Sequence, residues 1–254
     1  MPLNLASWMM VFLRAGAMLT VFPVFSARTF PPQLRVALGA LLACLIAPTV
    51  AEPVSAGESL WGLAGTMILE VGVGLLLGFA TLMIFYALET AGAVIATEIG
   101  LVLPAGVNPL QDSQATVASV VLFYLATMLW LSLDLHHWLL LGFQDSYRLL
   151  PVGAARISQT LWTDLVGRTA KTFVVALQLA APVLAVSFII TLVFSVLGRA
   201  VPQMNVFIES FSVRILAGLT VFGLTCQLMA QHIANYLRRL PEDVLRVAQI
   251  LGVG

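Results

Sequence analysis

The stretch TAKTFVVALQLAAPVLAVSFIITLVFSVL, Thr169–Leu197, followed by GRAVPQMNVF, Gly198–Phe207, decides the fold. Its first 29 residues carry a single charge, Lys171. As a helix at ~1.5 Å per residue they would extend about 43 Å, against a hydrocarbon core of ~30 Å. A second apolar stretch, Phe207–Leu237, follows directly. Gly198 and Pro202 stop the first helix, and Arg199, Gln203 and Asn205 offer a charge and amide groups to a partner. Two membrane-length helices joined by a short polar loop read as a hairpin at a membrane boundary.

The rest of the chain has the same character. Hydrophobic residues make up 60% of the 254 positions and charged residues 9%, more apolar surface than a soluble chain of this length can hide. Further apolar segments run Leu5–Phe25, Leu34–Val50, Leu60–Leu103 and Ala115–Leu133. Strand signals are absent, so the fold class is all-α, a multi-helix integral membrane protein. Leu60–Leu103 is longer even than Thr169–Leu197; it is counted as one crossing and is expected to bend or break near Thr90–Gly92. Pro182 is expected to kink the helix that contains it. Ala154–Arg168 alternates polar and apolar residues like an interfacial helix. Overlong helices must tilt steeply or project into protein.

Twelve basic and twelve acidic residues balance, which gives no electrostatic case for nucleic acid. The start, Met-Pro-Leu-Asn-Leu, lacks a basic n-region, so no cleaved signal peptide is expected. Cys44 and Cys226 lie in apolar stretches, as small core residues do. Arg28 and Arg35 in the first polar break put that break, and with it the Arg199 loop, on the cytoplasmic side. Arg238, Arg239 and Arg246 in the tail point the other way.

Arg14, Glu70, Glu89, Glu98, Lys171, Glu209 and Arg214 lie inside or at the margins of apolar helices. A charge facing lipid at a helix centre costs at least ~2.5–3.5 kcal/mol, so these side chains should face protein or water. Glu70, Gly74 and Gly78 share one helix face; Glu89, Ala93 and Thr97 share another, with Gly92, Ala96 and Gly100 beside it. Small residues admit a second backbone, so the charges are expected at packing interfaces. Two roles stay open for them: structural pairing, or a proton or ion relay.

Enzymatic motifs are missing. Gly72-Val73-Gly74-Leu75-Leu76-Leu77-Gly78 has the wrong spacing for a dinucleotide loop and lies in a membrane-like helix. There is no Walker loop, no Gly-x-Ser-x-Gly elbow and no HExxH, and the adjacent His136 and His137 are expected on different helix faces. No catalytic residue, metal site or cofactor is expected.

Several motifs occur in a telling order. Arg14, Pro23, Arg28–Arg35 with Pro31, and Pro48 come first. Glu98-Ile99-Gly100-Leu101 and Asn108-Pro109 follow, then His137-Trp138-Leu139 and Leu150-Pro151-Val152-Gly153. GRAVPQMNVF is the most specific. Together they resemble, over essentially the whole chain, the FliR family of type III secretion export-gate subunits. The Pro-Gln-Met-Asn core favours the flagellar branch over the equivalent subunit of virulence injectisomes. One departure is Ser212, where the family commonly has proline.

The resemblance implies a FliP-like body, residues 1–168, fused to a FliQ-like helical hairpin with a C-terminal tail, residues 169–254. It implies a helical ring with FliP-like and FliQ-like subunits in the bacterial inner membrane, within the flagellar basal body. Unfolded export substrates would pass through that ring. Gly100–Gln114 matches the family's plug loop, with Leu103, Pro104, Gly106, Val107, Asn108, Pro109 and Leu110 filling the pore. Arg199, Pro202, Gln203 and Asn205 match a hairpin tip that docks the FlhB-like switch subunit. A secondary transporter with Glu70 and Glu89 as coupling sites is the rival reading. The resembled fold opposes it, being a ring-building unit without an inverted repeat.

Overall fold

The computed structural model of the chain describes residues 5–26, 30–50, 60–101, 116–201, 203 and 205–253, and no strand occurs among them. The helices are α1 (Leu5–Val21), α2 (Pro23–Ser26), α3 (Pro32–Ile46, continued by a 3₁₀ turn, Ala47–Thr49), α4 (Leu60–Ile99), α5 (Val117–Ser132), α6 (Leu135–Leu149), α7 (Gln159–Ala200), α8 (Val206–Leu237) and α9 (Leu240–Val253). Among the described residues, four helical stretches are long and apolar enough to cross a membrane, and the bent pair α5–α6 makes a fifth if it counts as one span. The chain is an all-α membrane protein.

Several boundaries differ from those the sequence suggests. α4 is one continuous helix of 40 residues with no break at Thr90–Gly92. It ends in a Schellman-type cap: Gly100, at φ +81°, donates its N–H to the Thr97 carbonyl at 3.1 Å, and Leu101 donates to Ala96 at 2.9 Å. No interfacial helix spans Ala154–Arg168. Residues 154–158 form a non-helical connector, tied by the Arg156 N–H to the Leu251 carbonyl at 3.1 Å, and 159–168 are the first turns of α7. α7 is 42 residues long, and Pro182 lies inside it without ending it. α8 continues through Ser212, the position where the resembled family has proline. Cys44 and Cys226 are free thiols; Cys44 is exposed, not a core residue, and accepts the Trp8 indole N–H at 3.1 Å.

The helices pack into two compact units. The first comprises Met1–Ile84, Leu131–Thr169 and Leu237–Gly254. Its core is built from Met10, Val11, Phe22, Leu77, Phe143 and Leu150. α1 lies on α3, and α6 on α9. Gly74 and Gly78 place α4 directly against α1: a Cβ at Gly74 would overlap the Arg14 carbonyl, and one at Gly78 would come within 2.9 Å of the Met18 carbonyl. α9 buries Leu240, Val244, Val247, Ala248 and Leu251, one continuous stripe at helical spacing. Asp164, Arg168, Asp243 and Arg246 bind its first turns to α7, with Arg168 Nε 2.6 Å from Asp164 and Nη1 2.7 Å from Asp243.

The second unit comprises Phe85–Trp130 and Ala170–Tyr236. Here α4 meets α5 at Gly92, whose missing Cβ would overlap the backbone of Ser119. Gly218 of α8 receives the Ile99 side chain, and Gly198 of α7 receives Val206. Between α7 and α8 the Tyr236 hydroxyl donates to Gln178 Oε1 at 3.0 Å. The outer faces stay apolar: Phe188, Leu216 and Leu224 are exposed, as suits a surface covered by lipid or neighbouring subunits.

Candidate functional site

The most concentrated chemistry in the first unit is a buried ion pair. Arg14 of α1 and Glu70 of α4 are both 0% exposed. Arg14 Nε donates to Glu70 Oε2 at 2.6 Å and Nη2 to Oε1 at 3.0 Å, a bidentate pair. Nη1 donates to the Leu150 carbonyl at 3.2 Å and more weakly to Ser146 Oγ at 3.4 Å, and Nη2 adds a bond to Leu150 O at 3.3 Å. The Gly153 N–H supplies Glu70 Oε1 with a further donor at 3.0 Å. The guanidinium lies 4.0 Å from the centroid of the Tyr147 ring. α1, α4, α6 and the turn after α6 therefore meet at one knot. Gly153 makes that turn at φ +75°, with its Cα side against Thr66, which places its N–H on the carboxylate.

This arrangement fits the structural role for Glu70. A relay carboxylate needs water and a change of proton occupancy. Glu70 instead has no exposure and three short charge-assisted or backbone donors. The shared face of Glu70, Gly74 and Gly78 is buried, as the spacing predicts.

The remaining embedded charges are placed differently. Glu98 is half-buried and accepts from Ser187 Oγ at 2.6 Å. Arg214 is half-buried, with Nη2 donating to Thr191 Oγ1 at 3.1 Å and a buried Nε that has no hydrogen-bond partner among the described residues. Glu89, Lys171 and Glu209 are exposed and have no ion-pair partner among the described residues, so this chain alone does not bury them. The packing face of α4 in the second unit is the one bearing Leu88, Gly92, Ile95, Ala96 and Ile99; the face of Glu89 and Thr97 points outward. In a helix apolar all round, small residues on two adjacent faces leave the choice to the neighbours.

At the hairpin tip Arg199, Gln203 and Asn205 are exposed. Asn205 also caps α8, its Oδ1 accepting from the Ile208 N–H at 3.5 Å and its carbonyl from Glu209 at 3.2 Å. Pro202 lies outside the described residues, as do Leu103, Pro104, Gly106, Val107, Asn108, Pro109 and Leu110. His136 is half-buried and His137 exposed on α6, with their ring centroids 4.0 Å apart.

Known proteins similar to this chain include flagellar ones. The flagellar biosynthetic protein FliR of Caulobacter vibrioides is 29% identical over 232 residues, covering 91% of this chain and 92% of that protein. FliR of Escherichia coli K12 is 27% identical, covering 96% and 93%, and FliR of Bacillus subtilis is 25% identical, covering 97% and 96%. The model of the family described as bacterial export proteins, family 1, matches residues 5–240. Matched across its helices α1 to α8, the chain belongs to that family.

Proposed function

We propose that the chain is a non-enzymatic subunit of the flagellar type III protein export gate, forming part of a channel for unfolded flagellar proteins in the bacterial inner membrane. The observation that carries this reading is the end-to-end likeness to flagellar biosynthetic proteins, over nine-tenths of both chains in the Caulobacter vibrioides, Escherichia coli and Bacillus subtilis relatives. Their names also support the flagellar over the injectisome alternative. Helices of 40 and 42 residues suit an element that extends beyond a bilayer into a protein ring. Deleting the gene in its own bacterium should abolish secretion of hook and filament proteins; normal secretion and motility would overturn the reading. The small-solute transporter predicts intact flagella in that strain.

Within this reading the chain joins FliP-like and FliQ-like subunits, residues 1–168 serving as the FliP-like part and 169–254 as the FliQ-like hairpin. Co-purification in mild detergent tests the assembly. Export energy comes from other components.

Gly100–Gln114 serves as the plug. It starts at the cap of α4, and Leu103, Val107 and Leu110 supply apolar bulk between helix-breaking Pro104, Gly106 and Pro109. Deleting 104–114 should leave the complex assembled but leaky to ions, measured as dye or proton flux in membrane vesicles. Tight vesicles would remove the plug role. Arg199, Pro202, Gln203 and Asn205 dock the switch subunit. Arg199→Glu should lower site-specific crosslinking to it more than it lowers recovery of the ring; unchanged crosslinking would dismiss the docking role. Glu89, Lys171 and Glu209, exposed on the single chain, act as interface charges toward neighbours.

A further inference from the structure

The two-residue turn Leu133–Asp134 separates α5 from α6. Asp134 makes the corner in the left-handed conformation, φ 54° and ψ 24°, which aspartate tolerates better than most residues. Asp134 occupies the N-cap position of α6, where a carboxylate normally accepts from the first N–H groups of the helix, yet its side chain makes no capping bond. It faces the histidines instead: Oδ1 lies 3.8 Å from His137 Nδ1, too long for a hydrogen bond. The two imidazoles stand 4.0 Å apart, inclined by 41°. One ligand atom from each of the three side chains falls within 4.8 Å of the other two.

We propose that Asp134, His136 and His137 form a three-ligand site for a divalent transition-metal ion of the zinc, nickel or copper class, with water completing the coordination. Bond lengths of ~2.0–2.2 Å to nitrogen and oxygen bring ligand atoms to roughly 3–3.5 Å from one another. The present separations close to that range by rotation of Asp134 and His137, 73% and 67% exposed, toward the half-buried His136. Two imidazoles and one carboxylate select this class over magnesium or calcium, which take oxygen donors. The site is independent of the export reading, since it rests on these three residues alone.

The test uses the full-length chain in detergent, purified through a tag without histidine and titrated with Co²⁺ as a visible probe. One equivalent should bind per chain, with ligand-field absorption that Zn²⁺ abolishes and Mg²⁺ does not. His137→Gln should weaken binding on the order of 10- to 100-fold, and Asp134→Asn/His136→Gln/His137→Gln should remove it, while His232→Gln, the third histidine of the chain, changes nothing. Circular dichroism of each variant establishes that the helices are retained. Absence of Co²⁺ binding by the wild type, or binding undiminished in the triple variant, overturns the proposal.

Discussion

Glu70→Leu alone is expected to lose most of the folded protein. It leaves the Arg14 guanidinium fully buried with only the Leu150 carbonyl, the Ser146 hydroxyl and the face of Tyr147 around it. Breaking a buried pair from one side costs roughly 3–5 kcal/mol, against a total stability of about 5–15 kcal/mol for a typical domain. The yield of monodisperse protein in detergent and its thermal midpoint should both fall sharply. The double variant Arg14→Met/Glu70→Leu is expected to recover much of the loss, because no charge is then left buried without a partner. A single variant as stable as the wild type would refute the role of the pair. The double variant also separates the two roles open in the sequence. Recovered folding with recovered export makes Glu70 structural; recovered folding with export abolished returns it to a proton-handling role.

Two glycines on one helix should respond to alanine with opposite sign. Gly→Ala in a helix ordinarily stabilises by about 0.5–1 kcal/mol. Gly72 has open space around its Cβ position, so Gly72→Ala should show that gain. Gly74 does not: its Cβ would meet the Arg14 carbonyl oxygen, a backbone atom anchored next to the ion pair. Separating α1 from α4 to make room is expected to cost ~1–3 kcal/mol beyond the propensity gain, and to stretch the Arg14–Glu70 bonds as well. Gly92→Ala, against the backbone of Ser119, should behave like Gly74→Ala. Thermal midpoints of the three variants in one detergent decide the matter; equal shifts at Gly72 and Gly74 would contradict the close approach.

The hairpin α7–α8 is legible because apolar length and a Gly/Pro-bearing loop report on chain and solvent alone. The Glu70–Gly74–Gly78 face is legible for a similar reason: a charge and two small residues at helical spacing must find protein. The partner of Glu70 is not. Arg14 is 56 residues away, and Leu150 and Gly153 reach the pair only through tertiary packing. α9 shows the opposite case. Pro241 near its start, Glu242 and Asp243 in its first turn, and the Leu240–Val244–Val247–Ala248–Leu251 stripe are all plain in the sequence, yet the neighbouring arginines make the segment look like a tail. Which face of α4 packs within the chain is not legible at Glu89, because α4 is apolar on every side and no periodicity distinguishes its inner from its outer face.

The chain passes between its two compact units four times, after residues 84, 130, 169 and 236. These points lie within α4, α5, α7 and α8 respectively, never in a loop. Severing or lengthening the chain at any of them interrupts the consecutive backbone hydrogen bonds of a helix. The protein therefore lacks the modularity its two packing centres suggest. Neither unit is a candidate for separate expression, and epitope tags or fluorescent reporters inserted at the crossings should prevent assembly.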